Sequence, residues 1–164
     1  MRPVEKKKPG DIVRYTDSND QEVEHTIQEN YPNYGDAKFP LASNIGQYCS
    51  YCEGKEKIHS LEVEHIVAKS EGGSPTAWNN FLLCCKICNT IKGKKVINNA
   101  FYSFIYDETG RIKVNEKMPE LSQIRAQNLL NLVKLQRHPK TNNLPSQTDY
   151  RWRDRWETWE KASR

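Results

Sequence analysis

Two short apolar runs and one helical stretch stand out in the middle of the chain. Ser60 to Val63 predicts a first strand, and the apolar run from Asn80 to Leu83 predicts a second. From Lys86 to about Lys95 the sequence predicts a helix, in which Gly93 is a weak point where the helix can end. The middle of the chain is therefore expected to fold as strand, strand, helix.

A hairpin and a second helix are predicted after this region. Aromatic and β-branched side chains from Ala100 to Tyr106 and from Arg111 to Val114 flank a turn that contains glycine. After Pro119, apolar residues recur at helical spacing from Ser122 to Arg137, and Ser122 can cap the start of that helix. Both elements are expected to pack on the core.

The two ends of the chain give weaker signals. Residues 1–44 contain prolines and many polar side chains, so they predict turns and short segments that wrap the core, with a helical turn from Glu22 to Glu29. Residues 139–148 are rich in proline, asparagine and serine and predict a linker. The sequence thus predicts three parts, which are a wrapping segment (1–44), a central domain (45–138) and a linker with a C-terminal helix (139–164).

Three tryptophans mark the predicted C-terminal helix. Trp152, Trp156 and Trp159 are spaced i, i+4 and i+7, so they form one aromatic stripe on the helix. Such a stripe is too apolar to remain in water, and it packs either on the chain's own core or on another molecule. The surrounding arginines suit the second alternative, a partner protein or a second copy in a homo-oligomer.

Composition indicates a compact protein with a polar surface. The chain has 164 residues, a formal net charge of +4, and 36% hydrophobic residues, more than a disordered chain contains. No apolar run reaches membrane-spanning length, and the basic N-terminus lacks the apolar segment of a signal peptide. The protein is therefore expected to be cytoplasmic, where thiols stay reduced. An excess of basic residues after Lys134 favours a polyanionic or acidic partner.

Four of the five cysteines form two pairs with a two-residue gap. Cys49 pairs with Cys52, and Cys85 pairs with Cys88, 33 positions after the first pair ends. One such pair can be a redox site, but two pairs around one insert favour a tetrahedral zinc site. The remaining residue, Cys84, can replace Cys85 in principle. Only Cys85 keeps the two-residue gap, so Cys84 is expected to be a small core residue.

The insert between the two pairs carries a motif. Leu61-Glu-Val-Glu-His is followed by Gly72-Gly73 and then by Trp78-Asn-Asn-Phe-Leu-Leu and Cys88-Asn-Thr-Ile-Lys-Gly. This arrangement closely resembles the HNH endonuclease family, over roughly Tyr48 to Lys95. The three signature positions of that family fall on His65, Asn80 and Asn89.

The resemblance implies an α+β fold with a ββα-metal core, to which the hairpin and the C-terminal helices are added. It implies that His65 is the general base and that Asn80 orients its ring. Glu64 and Asn89 would bind Mg²⁺ or Mn²⁺, which prefer oxygen ligands, and the cysteines would bind structural Zn²⁺. Position 64 departs from the more usual aspartate of the family, and position 89 holds asparagine instead of histidine.

Two classes of function are consistent with these residues. The first is a metal-dependent endonuclease that hydrolyses DNA, and the second is a zinc-knuckle module that binds nucleic acid or protein without cleaving it. A lone histidine is more often structural than catalytic, but the set Glu64, His65, Asn80 and Asn89 favours the enzyme. The whole chain also resembles small HNH proteins of prokaryotic anti-phage defence systems such as Septu, which act with an ATPase partner.

Overall fold

The computed structural model describes residues 5–96 and 104–163 of the chain. Its architecture is α+β, with short antiparallel strand pairs and short helices. Contacts divide the described chain into two compact units, which comprise residues 5–96 and residues 104–163. Of the described helices, none combines the length and apolar character needed to cross a bilayer.

A strand, strand, helix motif forms the centre of the first unit. Strand β3 (Leu61–His65) pairs antiparallel with β4 (Phe81–Cys85), and helix α2 (Lys86–Lys92) follows β4 directly. The predicted order of elements is confirmed, although each strand begins one residue later and ends two residues later than the sequence indicated. The helix ends before Gly93, whose φ of 52° lies in the left-handed region that favours glycine.

The N-terminal part of this unit contributes a hairpin and a helix. Strands β1 (Ile12–Thr16) and β2 (Glu22–Thr26) pair antiparallel, and helix α1 (Lys38–Ile45) follows. The prediction of a helical turn from Glu22 to Glu29 is wrong. Alternate residues of β2 are half-buried, and the Asp17 carboxylate closes the preceding turn by accepting two backbone N–H groups, so the segment folds back as a strand.

Trp78 is fully buried and joins the N-terminal part to the centre of the unit. Its indole N–H donates to the Lys7 carbonyl at 2.8 Å, while the Lys6 ammonium donates to the carbonyls of Trp78 and Phe81. Buried apolar residues from both parts surround it: Val13, Ile27, Tyr31, Ala37, Leu41, Leu61, Val63, Phe81 and Leu83. The described part of residues 1–44 therefore packs around the strand pair through one shared core.

The second unit contains a hairpin and two helices. Strands β5 (Phe104–Tyr106) and β6 (Ile112–Val114) form the predicted hairpin, while the predicted residues 100–103 lie outside the described part of the chain. Helices α3 (Glu120–Leu132) and α4 (Arg151–Ala162) follow. At Gly110 in the hairpin turn, an added Cβ would lie 2.4 Å from a backbone carbonyl of α4, so only glycine fits this contact.

The boundaries of α3 differ from those predicted. The helix begins two residues early, because Pro119, with φ of −53°, leads directly into it, and Ser122 lies inside the first turn instead of capping it. It ends at Leu132, and Lys134 adopts a positive φ of 53°, which reverses the chain before the predicted end at Arg137. The helical spacing of apolar residues therefore continues in the sequence beyond Leu132, where the backbone of α3 ends.

The tryptophan stripe is divided between core and surface. The Trp152 ring is half-buried and lies 5.2 Å from the His138 ring, and Trp156 is half-buried beside Gly110. Trp159 remains 40% exposed. Packing within the chain's own unit thus accounts for two of the three tryptophans and leaves the third on the surface.

A buried ion pair fixes the start of α4. The Arg151 guanidinium donates to both carboxylate oxygens of Asp149 at 2.7 Å and to the Val133 carbonyl at 2.9 Å, beyond the end of α3. His138 is buried as well and bonds to the Thr109 carbonyl. These bonds group the hairpin, α3 and α4 in one unit, whereas the sequence grouped the hairpin and α3 with the cysteine-rich region.

Removing the Asp149 charge is expected to destabilise the second unit. Asp149→Asn leaves Arg151 buried without its carboxylate partner, which should lower the free energy of unfolding by on the order of 3 kcal/mol. Urea unfolding followed by tryptophan fluorescence measures this, since three of the four tryptophans lie in α4. Glu157→Gln is the matched control, because it removes an exposed acid of the same helix. Equal effects of the two changes would contradict the prediction.

The contribution of this ion pair to stability depends on pH. Burial alone would raise the pKa of Asp149, but the hydrogen bonds and charge of Arg151 outweigh it and hold the pKa below its ordinary value of 3.8. The stabilisation by Asp149 is therefore complete above that pH and is lost as the pH falls below it.

Candidate active site and metal centre

Two backbone turns present the cysteine pairs. In the first, Cys49 donates its N–H to the Gly54 carbonyl, and Ser50 donates to the Leu83 carbonyl of β4, which docks the turn on the strand. In the second, Cys85 is the last residue of β4 and the N-cap of α2, and its sulfur accepts from the Cys88 N–H at 3.4 Å. Strand pairing therefore brings the two turns together.

The four paired cysteines form one buried cluster. The sulfurs of Cys49, Cys52, Cys85 and Cys88 all lie within 4.8 Å of one another. A tetrahedral zinc ion with Zn–S bonds of about 2.3 Å would place its sulfurs ~3.8 Å apart, and the sulfurs of Cys52 and Cys85 are 3.9 Å apart. The arrangement fits the Zn²⁺ site that the sequence predicted.

Cys84 lies beside this cluster and is not one of the four. Its sulfur is fully buried, 3.9 Å from the Cys49 sulfur, and donates to the Cys85 carbonyl at 3.3 Å. Burial alone would raise the pKa of Cys49, but hydrogen bonds from the neighbouring thiols outweigh burial and hold that pKa well below its ordinary value. Hydrogen bonds within the cluster, together with burial, raise the pKa of Cys52 and Cys88 instead. The lowered pKa therefore marks Cys49 as a thiol that readily gives the thiolate, the form that binds a metal ion.

His65, the predicted general base, is the last residue of β3. Its ring is half-buried and lies edge-on to the Phe81 ring, directly opposite on β4, with the ring centroids 5.1 Å apart. The Nε2 atom is 3.1 Å from the Pro75 carbonyl. Because a carbonyl oxygen can only accept, Nε2 must carry the hydrogen in this contact, which leaves the lone pair of a neutral ring on Nδ1.

The Asn80 side chain forms hydrogen bonds to two positions of the loop that follows His65. Its side-chain oxygen accepts from the Val67 N–H at 2.9 Å, and its Nδ2 donates to the carbonyls of Val67 and Ser74. Gly73 packs inside this loop, where an added Cβ would lie 1.8 Å from the Val67 carbonyl. The described hydrogen bonds do not join Asn80 to the His65 ring. Asn80 instead fixes Ser74, next to the Pro75 carbonyl that contacts the ring.

The Glu64 carboxylate is buried and both of its oxygens have partners. Oε1 forms an ion pair with the Lys92 ammonium at 2.5 Å, and Oε2 accepts from the Tyr51 hydroxyl at 2.5 Å. Lys92 also donates to the His65 carbonyl at 2.9 Å. Burial raises the pKa of Glu64, although Lys92 and Tyr51 act in the opposite direction. A cation, the lysine ammonium, therefore already occupies a position beside the predicted metal ligand.

Asn89 lies near Glu64 but bonds to a different acid. Its Nδ2 donates to Glu62 Oε2 at 2.7 Å, since Glu62 and Glu64 lie on the same face of β3, towards α2. This bond uses the amide nitrogen and leaves the amide oxygen of Asn89 as the potential metal ligand. The structure thus brings Glu64 and Asn89 to one face of the strand pair and His65 to the other.

Several residues that contact Glu64 or His65 were not predicted from the sequence. Lys92 could have been found, because it follows Asn89 by three positions and so shares its helix face. Tyr51, between the two cysteines of the first pair, and Tyr34, from the N-terminal part, gave no signal, since only tertiary packing brings them to Glu64 and His65. Of the other histidines in the first unit, His25 bonds to the Tyr31 hydroxyl and His59 is exposed.

Residues 49–95 match a family model described as HNH endonuclease. The matched region contains both cysteine pairs, β3, β4 and α2, and it covers under a third of the chain. No curated protein sequence matches the chain. The first unit thus contains a region similar to HNH endonucleases, together with a cysteine cluster that can hold a metal ion.

The cysteine geometry predicts which cysteines hold the metal. Purified protein is expected to contain one zinc ion per chain, and Cys85→Ser should lose the zinc and lower the melting temperature, because the ion joins the two turns. Cys84→Ala, the neighbouring buried thiol, should keep the zinc. Elemental analysis and thermal melting of both variants check this. Loss of zinc from Cys84→Ala but not from Cys85→Ser would reverse the assignment.

Proposed function

We propose that the protein is a metal-dependent endonuclease that hydrolyses phosphodiester bonds of DNA. The observation that carries this proposal is the His65 ring, which is held by the Pro75 carbonyl at Nε2 and has Nδ1 available to accept a proton. The match of residues 49–95 to the HNH endonuclease family supports the same reaction. A module that only binds nucleic acid has no need of a base oriented in this way.

In this proposal, His65 Nδ1 takes a proton from the attacking water. The water oxygen forms a bond to phosphorus, and the bond from phosphorus to the leaving oxygen breaks. Asn80 acts as a positioning residue, because it fixes the loop whose Pro75 carbonyl orients the imidazole. The zinc cluster lies at the junction of β4 and α2, so its role is to hold the strand and the helix in place.

The proposed catalytic ion is Mg²⁺ or Mn²⁺, with Glu64 and Asn89 as its oxygen ligands. When bound, such an ion would supply positive charge to the phosphate. Because these ligands and the His65 ring lie on opposite faces of the strand pair, the proposal requires that the phosphate reach both at the end of β3. The Lys92 ammonium now lies 2.5 Å from Glu64 Oε1, so a divalent ion can bind this oxygen only if Lys92 moves away. Carboxylate and amide oxygens suit hard cations, but the acid is already paired with a cation.

The wider role that we propose is anti-phage defence together with an ATPase partner. Support comes from the resemblance of the whole chain to small HNH proteins of systems such as Septu. The exposed Trp159 and the arginine-rich helix α4 offer side chains that are favoured as anchors in protein interfaces.

Replacing His65 tests the proposed reaction. His65→Ala is expected to lower cleavage of plasmid and linear DNA by on the order of 10²- to 10⁴-fold, because it removes the general base. Zinc content, melting temperature and DNA binding should stay close to those of the wild type. His59→Ala, an exposed histidine of the same unit, is the matched control. Near-normal cleavage by His65→Ala would leave the non-catalytic binding module as the better interpretation.

The metal ligands are tested by cleavage at increasing Mg²⁺ or Mn²⁺ concentration. Glu64→Gln and Asn89→Ala are expected to raise the concentration that gives half-maximal cleavage, because each removes an oxygen ligand or its charge. Glu71→Gln, an exposed acid in the loop, should leave it unchanged. If Glu64→Gln lowers the melting temperature without shifting the metal dependence, Glu64 is the structural partner of Lys92 and the assignment is wrong.

A further inference from the structure

Tyr34, from the N-terminal part of the chain, lies against the proposed general base. It begins the short helical turn Tyr34–Ala37, and its ring centroid is 5.1 Å from that of His65, with the rings inclined at 64°. It is also 6.5 Å from the Phe81 ring. Tyr34 remains 40% exposed, so it lies at the surface beside His65 and is not part of the buried core.

The Lys69 side chain lies over the Tyr34 ring. Its ammonium is 4.4 Å from the centroid of the Tyr34 ring, within the range of a cation–π interaction. Lys69 is exposed, and no carboxylate among residues 5–96 and 104–163 forms an ion pair with it. The Tyr34 ring therefore contacts both the Lys69 ammonium and the His65 ring, and no acid in the described residues forms an ion pair with that ammonium.

The loop after β3 links Lys69 to His65. Lys69 lies in the turn Lys69–Glu71, between Val67 and Ser74, which are the two residues that Asn80 binds. The same loop provides the Pro75 carbonyl that contacts His65 Nε2. The loop that Asn80 holds in place thus carries both the carbonyl that orients His65 and the Lys69 ammonium.

We propose that Lys69 binds a backbone phosphate of the nucleic acid next to the bond that is cleaved, and that Tyr34 is a positioning residue that holds the Lys69 ammonium beside His65. The proposal rests on the nuclease function proposed above. A phosphate is the partner that the chemistry favours, because an unpaired ammonium beside a base that activates water attracts the anionic group under attack. It also gives the N-terminal part of the chain a role at the reaction site.

The first test is the salt dependence of DNA binding. His65→Ala is the non-cleaving parent, and dissociation constants for a short DNA duplex are measured over a range of salt concentrations. Lys69→Gln in this parent should reduce the slope of log binding constant against log salt concentration by about 0.9, the value for one lost phosphate contact on B-DNA. Lys57→Gln, an exposed lysine that precedes the opposite end of β3, should leave the slope unchanged.

The second test is cleavage by the His65-containing protein. Lys69→Gln is expected to lower kcat/KM on the order of ten-fold, the loss typical of one charged hydrogen bond. Tyr34→Phe keeps the ring and should behave like the wild type, whereas Tyr34→Ala should approach Lys69→Gln. Because Tyr34 acts through Lys69, the double variant Tyr34→Ala/Lys69→Gln should lose less than the product of the two single losses.

The outcomes separate this proposal from the one on which it rests. If the wild type cleaves DNA but Lys69→Gln changes neither the salt slope nor kcat/KM, the phosphate assignment is overturned and the nuclease function stands. Independent, multiplicative losses from Tyr34→Ala and Lys69→Gln would overturn the positioning role of Tyr34. A wild type that binds DNA with the predicted Lys69 contribution but never cleaves it would overturn the nuclease function alone.

Discussion

The buried cluster of sulfurs is the constraint on which the first unit depends. Five buried thiols lie close together, and the sulfurs of four of them lie within 4.8 Å of one another, which is an arrangement that a tetrahedral metal ion binds. The cluster connects the turn after α1 to the junction of β4 and α2. It therefore sets how α2 lies against the strand pair, and so which side chains face each other across it.

Strand periodicity then divides the chemistry between two faces. Successive side chains of β3 point to opposite sides, so Glu64 faces α2, where it meets Lys92, and His65 faces Tyr34 and Phe81. The acid side is buried and paired with Lys92, whereas the histidine side stays half-exposed and includes the Lys69 ammonium over the Tyr34 ring. In our proposal, the second face is the one that the DNA backbone approaches.

The second unit is organised by different interactions. The buried Asp149–Arg151 pair and the close contact at Gly110 fix α4 within this unit, and they leave Trp159 at the surface. A helix anchored at its start and aromatic near its end suits contact with another molecule. In our proposal, the chemistry therefore belongs to the first unit and the contact with a partner belongs to the second.

The sequence by itself identified the four clustered cysteines and the order of the central elements, because both depend on local spacing. The two-residue gap identified Cys85 over Cys84, and Gly93 marked the end of α2. Only the tertiary structure decided the contacts of Glu64 and Asn80 and the strand at residues 22–26. These depend on which distant segments meet. Tyr51 reaches Glu64 from the first cysteine turn, and Tyr34 reaches His65 from the N-terminal part of the chain. Only tertiary packing decides these two contacts, because no local pattern of side chains encodes them.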